Sequence, residues 1–236
     1  MAPPSTASPD PDHQPGPEPT RTVVVLAGGD QVDVAVAAHL PAGALVIAAD
    51  SGLETAAPLG LTVDRIVGDL DSVDPDLLAE AKTGGIPVDE YPQDKDQTDL
   101  AIALDTALEH APRRIVVVGG HGGRLDHLLG NAALIASSAY ADVEVVALMG
   151  TARVTVLRGH PDPVATALTG RLGELISLLP FHGEVTGVTT RGLRFPLDDA
   201  ALPAGSSLGV SNEFTAPHAS VALRSGVLLA VQPDHL

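Results

Sequence analysis

The sequence predicts an α/β protein in which an N-terminal, mostly parallel α/β/α domain precedes a smaller antiparallel β-domain, either a sandwich or a small barrel. The first domain is indicated by apolar, β-branched runs that alternate with helix-like stretches, as in parallel sheets buried on both faces. The second is indicated by short β-like runs after residue 150, which turn signals separate and no long helix interrupts. We place the boundaries at 1–20, 21–150 and 151–236.

Residues 1–20 hold seven prolines and almost no large apolar side chain. Such a segment cannot bury enough surface to offset the entropy of ordering, so we expect a disordered tail.

Four strands are predicted in the first domain, and each ends in a turn that contains glycine, aspartate or both. They are Val23 to Leu26, Ala44 to Ala49, Arg65 to Val67 and Ile115 to Val118. Parallel strands present their carboxyl ends at one edge of an open sheet, where ligands bind, so these turns should meet around one cleft. The residues gathered there would be Asp30, Asp50, Asp69, Asp71 and the Gly-rich loop 119–123.

The turn after the third predicted strand reads Gly68-Asp69-Leu70-Asp71-Ser72. A glycine lets the backbone bend, and two carboxylates two residues apart can then converge on one point. Oxygen ligands of this kind suit Mg²⁺, which usually takes one or two carboxylates together with water and substrate phosphates. The alternative is a solvated Asp-rich turn.

The segment Lys95-Asp96-Gln97-Thr98-Asp99 opens a predicted helix whose apolar residues recur at helical spacing. Asp96 and Asp99 are three residues apart, so both can lie on one face at the helix N-terminus. The alternative is a capping arrangement with Asp96 as N-cap, and capping and metal binding can coexist in one turn.

The loop Gly119 to Gly123 precedes Arg124, Asp126 and a further predicted helix. Glycines let backbone N–H groups approach phosphate oxygens, and a helix N-terminus adds partial positive charge. Arg124 could clamp a phosphate bidentately, and the alternative is a surface ion pair with a nearby carboxylate.

Six strands are predicted in the second domain, namely Val154 to Leu157, Leu175 to Leu179, Val185 to Thr190, Ser207 to Val210, Ser220 to Leu223 and Val227 to Val231. One polar cluster, Ser211-Asn212-Glu213, follows the fourth of them. It is either an ordinary turn or a source of hydrogen bonds to a small polar ligand at a domain or subunit junction.

Charge and composition exclude several classes of function. The chain has 30 acidic against 13 basic residues, a formal net charge of −17, which disfavours nucleic acid and anionic membranes as partners. It has no cysteine, which excludes disulfides and thiol chemistry and fits a cytoplasmic protein. An anionic substrate would need a metal ion beside it.

Taken together, the motifs resemble those of the thiamine pyrophosphokinase family, which transfers a pyrophosphoryl group from ATP to thiamine. The matching segments occur in the family's order and cover about residues 22 to 232. They are residues 49–52, 68–72, 95–99, 119–131, 191–197 and 210–213. The resemblance implies an α/β catalytic domain that binds ATP and Mg²⁺ and a β-sandwich that binds thiamine. It also implies a homodimer with active sites at the subunit junction.

The family's acidic motifs imply roles for five residues. Asp69, Asp71 and Asp99 would bind Mg²⁺ and the ATP phosphates, with Asp96 and Thr98 in support. Asp71, Asp99 and Asp96 form the expected catalytic set, and which aspartate accepts the hydroxyl proton stays open.

The remaining motifs imply contacts with the substrates. Arg124 and Asp126 would handle nucleotide and phosphate, Asp50 would lie near thiamine, and Ser211 with Asn212 would contact its pyrimidine ring. The chain has no Trp, whereas some members stack a Trp on the substrate, which leaves Phe181, Phe195 or Phe214 as candidates for that contact.

The expected chemistry is an in-line attack by thiamine's hydroxyl on the β-phosphorus, with AMP as leaving group. Two alternatives remain. A Mg²⁺-dependent phosphohydrolase would use the same carboxylates with water as nucleophile, and a non-catalytic thiamine or nucleotide sensor would bind without turnover.

Overall fold

The computed structural model describes residues 22–159 and 164–236, so the tail predicted for residues 1–20 lies outside the described part. Six strands form the first part of the chain: β1 Thr22–Ala27, β2 Leu45–Ala49, β3 Arg65–Gly68, β4 Val88–Glu90, β5 Arg114–Gly119 and β6 Glu144–Met149. The four strands predicted there are confirmed as β1, β2, β3 and β5. Strands β4 and β6 were not predicted.

These strands pair in the order β4-β3-β2-β1-β5-β6, and all of the pairs are parallel. The order reverses between β1 and β5, so this is the switch point at which open α/β sheets leave a crevice for a ligand. The expectation that the Asp- and Gly-containing turns share one edge of the sheet is confirmed.

Helices cover both faces of the parallel sheet. They are α1 Pro75–Thr83, α2 Asp99–Leu108 and α3 Leu125–Ile135, with short 3₁₀ helices at Val34–His39, Asp50–Thr55 and Ser138–Tyr140. Side chains along β1 alternate between the two cores, with Val23 and Val25 facing α2 and Val24 and Leu26 facing the opposite side. Because both faces are buried, the strand reads as a continuous apolar run.

Helix α2 begins where its motif predicts, but a different residue caps it. Thr98 is the N-cap, and its hydroxyl accepts a hydrogen bond from the amide of Ala101 at 3.3 Å. The alternative with Asp96 as the cap is therefore wrong. Asp99 opens the first turn, and its carboxylate is available for other partners.

The second part of the chain is antiparallel, as predicted. Its strands are β7 Ala152–Arg158, β8 Val164–Thr169, β9 Leu175–Arg191, β10 Ala200–Leu202, β11 Asn212–Glu213, β12 His218–Leu223 and β13 Ser225–Gln232. Strand β9 runs through 17 residues and joins two segments that the sequence predicts as separate strands. Its two halves pair with different neighbours, β13 first and β12 afterwards, and together they enclose a core around Phe214, Leu178 and Val221.

One predicted strand is wrong. Residues 207–210 form turns rather than a strand, and they lead into Ser211, whose φ is +59°. The carbonyl of Gly209 accepts a hydrogen bond from the amide of Leu178 at 2.8 Å, so this segment is a loop laid across β9.

The two parts share one sheet. Strand β7 pairs with β6 and with β13, so the hydrogen-bonded path continues from the parallel strands into the antiparallel ones. The predicted boundary at residue 150 falls in the tight turn between β6 and β7. Among the helices of residues 22–159 and 164–236, none has the length and apolar character needed to cross a bilayer.

Candidate active site

Three carboxylates from separate segments meet at the carboxyl edge of the parallel strands. Asp50 follows β2, Asp69 follows β3 and Asp99 opens α2, and each offers an oxygen within 4.8 Å of the others'. We call Asp50, Asp69 and Asp99 the carboxylate group. Strand order explains the meeting, because β2 and β3 are neighbours and α2 packs across them.

The backbone around Gly68 permits this close approach. Gly68 has a φ of +140°, and a Cβ there would lie 3.0 Å from Asp99 Oδ1 and 3.2 Å from the Cβ of Asp50. Asp50 and Leu70 also have positive φ, +48° and +63°, which costs free energy for residues with side chains. Such conformations persist where the surrounding structure enforces them, and here both lie beside Gly68.

Asp50 is the buried member of the carboxylate group. Only 9% of the residue is exposed, and its Oδ1 is buried with no hydrogen-bond partner among the described atoms. Burial raises the pKa of Asp50, and the charges of Asp99 and Asp69 raise it further. A buried carboxylate oxygen without a donor calls for a proton or a cation.

Lys95 lies between the other two carboxylates. Its Nζ is 2.6 Å from Asp69 Oδ2 and 3.1 Å from Asp99 Oδ1, and its side chain is 12% exposed. The hydrogen bond from Lys95 lowers the pKa of Asp69. Burial alone would lower the pKa of Lys95, but the hydrogen bonds to both carboxylates outweigh it and the pKa is raised. Lys95 belongs to a motif that the sequence singles out, yet nothing in the sequence assigns it a role.

Asp71 lies at the rim and outside the carboxylate group. It is exposed, and its carboxylate accepts hydrogen bonds from the hydroxyl of Ser72 and the side-chain amide of Gln93, each at 2.9 Å. Its backbone N–H reaches Asp69 Oδ1 at 3.4 Å. The structure thus joins two of the three predicted metal ligands, Asp69 and Asp99, with Asp50 as the third. The role predicted for Asp71 stays a prediction.

Asp96 and Thr98 are exposed on the approach to α2. The hydroxyl of Thr98 is engaged in capping. The motif thus contributes Asp99 and Lys95 to the interior of the site, while Asp96 and Thr98 stand at its mouth.

The Gly-rich loop lies at the switch point between β1 and β5. The carbonyl of His121 in this loop accepts a hydrogen bond from the amide of Asp30 at 2.8 Å. The amide of Gly120 donates a hydrogen bond to the carbonyl of Gly28 at 3.1 Å. Gly120 and Gly122 have φ of +72° and +82°, a region that glycine adopts without strain. A side chain at Gly122 would overlap Asp30, so Asp30 packs against this loop, apart from the carboxylate group.

Arg124 and Asp126 form an exposed ion pair directly after this loop. The guanidinium Nη2 lies 2.6 Å from Asp126 Oδ2, and it lowers the pKa of Asp126 to about 2. Both side chains are about two-thirds exposed, so the pair contributes little to stability. It keeps a guanidinium at the start of α3, beside the loop.

The two polar residues predicted to contact thiamine differ in their surroundings. The side chain of Asn212 is buried. It accepts hydrogen bonds from the backbone amides of Phe195 and Glu213 at 2.9 Å each, and it donates one to the carbonyl of Phe195 at 2.7 Å. Ser211 is exposed. Asn212 therefore fastens the loop that carries Phe195, and Ser211 lies at the surface.

The three phenylalanines proposed in place of a tryptophan also differ. Phe214 is 1% exposed in the β-domain core, and Phe181 packs against the apolar core below the parallel sheet. Phe195 is 57% exposed, with the guanidinium of Arg194 5.4 Å from its ring centre. Phe195 is thus the exposed one of the three, and Arg194 lies over one face of its ring.

Comparisons with known proteins relate both parts of the chain to one family. The family model described as thiamin pyrophosphokinase, catalytic domain, matches residues 38–147, and the one described as thiamin pyrophosphokinase, vitamin B1 binding domain, matches residues 165–228. Thiamine pyrophosphokinase of Bacillus subtilis (strain 168) is 26% identical over 213 residues, which cover 90% of this chain and 98% of the relative.

Solved structures of thiamine pyrophosphokinases also resemble this chain. The crystal structure of thiamine pyrophosphokinase from Bacillus subtilis has a TM-score of 0.79 at 25% identity, covering 92% of this chain and 100% of its own. That of thiamin pyrophosphokinase from Geobacillus thermodenitrificans has a TM-score of 0.75 at 26% identity, with coverages of 89% and 96%. The likeness extends through both the parallel and the antiparallel parts.

Proposed function

The chain belongs to the thiamine pyrophosphokinase family, and from that premise we propose which of its residues build the active site. As a member of the family it is an enzyme that transfers a pyrophosphoryl group from ATP to thiamine, giving thiamine diphosphate and AMP. The observation that carries the assignment of the site is the meeting of Asp50, Asp69 and Asp99 within 4.8 Å at the ligand-binding edge of the sheet.

We propose that the carboxylate group holds Mg²⁺. Three carboxylates and one buried oxygen without a donor fit a hard cation that prefers oxygen ligands. When bound, Mg²⁺ would neutralise charge on the phosphates of ATP. Asp71, on the turn that holds Asp69, is proposed as a further ligand, which requires its carboxylate to leave Gln93 and Ser72.

The nucleotide half of the proposed site is the Gly-rich loop with Arg124. Backbone N–H groups at the switch point and at the start of α3 can donate hydrogen bonds to phosphate oxygens. The guanidinium of Arg124 can donate two more in bidentate fashion. Asp126 would then hold Arg124 in place until phosphate competes for it. Asp96 and Asp71, both exposed at the mouth, are the proposed neighbours of the attacking hydroxyl.

The thiamine half is proposed to come from the antiparallel part of a second subunit. The surface around Ser211 exposes several large apolar side chains, which support a partner or ligand there. They are Leu172, Leu175, Phe195, Leu208 and Val210. The negative carboxylates also favour the cationic thiazolium ring. A cytoplasmic location, which the lack of cysteine supports, completes the proposal.

The experiment is to incubate the purified chain with ATP, thiamine and Mg²⁺ and to separate the products by chromatography. We expect AMP and thiamine diphosphate in equal amounts, and neither when Mg²⁺ or thiamine is left out. Asp99→Asn should reduce turnover by at least ~100-fold, as loss of a group that stabilises transition-state charge commonly does.

The alternatives give different products. ADP or free phosphate that forms without thiamine would identify a phosphohydrolase, and thiamine binding without product would identify a sensor. Full activity without any divalent cation would refute the metal site and leave the family assignment intact.

A further inference from the structure

The chain contains two lysines, Lys82 and Lys95, and they lie in opposite surroundings. Lys82 is exposed near the end of α1. Lys95 is largely buried, and its ammonium is directed at the carboxylate group. A buried lysine loses solvation and side-chain entropy, so its position calls for an explanation.

The contacts of Lys95 join two segments that are distant in sequence. Its ammonium donates to Asp69 after β3 and to Asp99 in α2, at 2.6 and 3.1 Å. Carboxylates held this close repel one another when both are ionised. The ammonium therefore supplies at this place the positive charge that the convergent oxygens require.

We propose that Lys95 is the internal counter-ion of the carboxylate group and exchanges its place with a divalent cation. In the free enzyme the ammonium neutralises Asp69 and Asp99 and takes the place that a cation would occupy. When Mg²⁺ and nucleotide bind, the ammonium leaves the carboxylates and pairs with phosphate oxygens. Lys95 thus neutralises the carboxylates in the free enzyme and binds phosphate in the loaded site. This inference rests on the proposed Mg²⁺ site.

Its length and flexibility suit Lys95 to this exchange. An ammonium is a compact point charge on a four-carbon stem, which can move a few ångströms between acceptors without a change of backbone. The acceptors before and after the exchange are all anionic oxygens, so Lys95 keeps charged partners throughout.

The test compares Lys95→Met with the wild type and with Lys82→Met as matched control, by calorimetric titration of Mg²⁺ into the free protein. Without the competing ammonium, Lys95→Met should bind Mg²⁺ about three- to tenfold more tightly, since a nearby like charge disfavours a cation. Titration of α,β-methylene-ATP with Mg²⁺ should show the opposite, a Kd raised about tenfold through loss of a charge-assisted hydrogen bond. Lys82→Met should match the wild type in both.

The two opposite shifts separate this role from a structural one, because a merely disordered site would bind both ligands less tightly. Unchanged or weaker Mg²⁺ binding by Lys95→Met, when the wild type binds Mg²⁺, would overturn the inference and leave the metal site standing. A wild type that binds no Mg²⁺ would instead refute the proposed metal site.

A measurement on the wild type covers the case in which Lys95→Met does not fold. Limited acetylation followed by mass spectrometry reports each lysine separately, because there are only two. Lys95 should react slowly in the free protein, faster with Mg²⁺ and slowly again with Mg²⁺ and α,β-methylene-ATP, while Lys82 stays constant. A Lys95 rate that Mg²⁺ does not change would also overturn the exchange.

Discussion

Because Gly68 has no Cβ, the carboxylates beside it can approach one another closely. Gly68→Ala places a Cβ at 3.0 Å from Asp99 Oδ1 in a backbone conformation that L residues rarely adopt. We expect a loss of about 1–3 kcal/mol in the free energy of unfolding, together with weaker binding of Mg²⁺, measured by urea denaturation and calorimetry.

The control for this change is Gly130→Ala in α3. Apart from the helix backbone and the adjoining Leu129 and Asn131, no atom of the described residues lies within 4 Å of the position that a Cβ at Gly130 would take, and the backbone there is helical. Alanine should therefore stabilise the protein by about 0.5–1 kcal/mol. A Gly68→Ala variant with wild-type stability and Mg²⁺ affinity would contradict the role given to this turn.

At the scale of single residues, the sequence predicts which residue types gather and not how their side chains point. Asp50, Asp69 and Asp99 are all predicted as site residues, because strand ends and helix starts are visible in the hydrophobic pattern. The exposed orientation of Asp71 and the buried one of Lys95 depend on contacts with other segments, among them Gln93 and the packing of α2. Local patterns do not encode contacts of that kind.

The loop that carries Phe195 is held by the side chain of Asn212. Asn212 makes three hydrogen bonds to the backbone of Phe195 and Glu213. Asn212→Ala should therefore lower the free energy of unfolding by about 1–3 kcal/mol, since buried backbone groups lose their partner. Chemical denaturation measures this loss.

Ser211→Ala is the matched comparison. The change at the exposed Ser211 should alter stability by no more than about 0.5 kcal/mol, and it should raise KM for thiamine with kcat little changed. If Asn212→Ala were as stable as Ser211→Ala and affected only thiamine binding, the fastening role of Asn212 would be wrong.

The end of the chain is fastened to β13 and β9 through Glu174, whose side chain is 4% exposed. It accepts hydrogen bonds from the amide of Arg171 at 2.9 Å and from Gln232 at 2.8 Å, and it pairs with His235 at 2.7 Å. Burial alone would raise the pKa of Glu174, but these donors outweigh it and the pKa is lowered.

The sign of the pH dependence follows from that lowered pKa. The stabilisation is fully present above the ordinary value of 4.5 and is lost as the pH falls through the lowered folded value. Glu174→Gln places an amide N–H₂ against existing donors, so we expect a loss of about 1–3 kcal/mol at neutral pH and a flatter decline below pH 4.5. Thermal unfolding between acid and neutral pH measures this stability, with the exposed Glu80→Gln as control. If the stability of Glu174→Gln declined below pH 4.5 as steeply as that of the wild type, this account would be contradicted.

At the scale of elements, prediction succeeds where β-branched runs end in glycine or aspartate. It fails where pairing with distant segments determines the secondary structure. Residues 207–210 resemble a strand, but Gly209 bonds to β9 as a loop. Strand β9 continues through His182 and Gly183, both with positive φ, because β13 and β12 take up its two halves. Pairing of this kind links residues far apart in sequence, so it cannot be read from either segment alone.

For the whole molecule, the continuous sheet from β6 through β7 to β13 fixes the antiparallel part rigidly beside the parallel part. A chain built this way cannot fold its own antiparallel part freely over its carboxylates. That rigidity favours the proposal that thiamine is held between two subunits, and the exposed apolar residues near Ser211 are the surface available for it.

The last prediction tests that arrangement by pairing two inactive variants. Asp99→Asn disables the carboxylate group, and Ser211→Arg places a cation where the cationic thiamine would bind. If each site uses the carboxylates of one subunit and Ser211 of the other, a mixed dimer keeps one intact site. Random pairing during co-expression makes half of the dimers mixed, so about a quarter of wild-type activity should return, with the dimer verified by light scattering.

Co-expression of Asp99→Asn with Asp69→Asn is the control, because both changes damage the same half of the site and no mixed dimer can contain an intact one. Recovery in the first pair and none in the second requires the site to span two subunits. A monomeric protein, or a first pair no more active than its two members alone, would place the whole site within one chain.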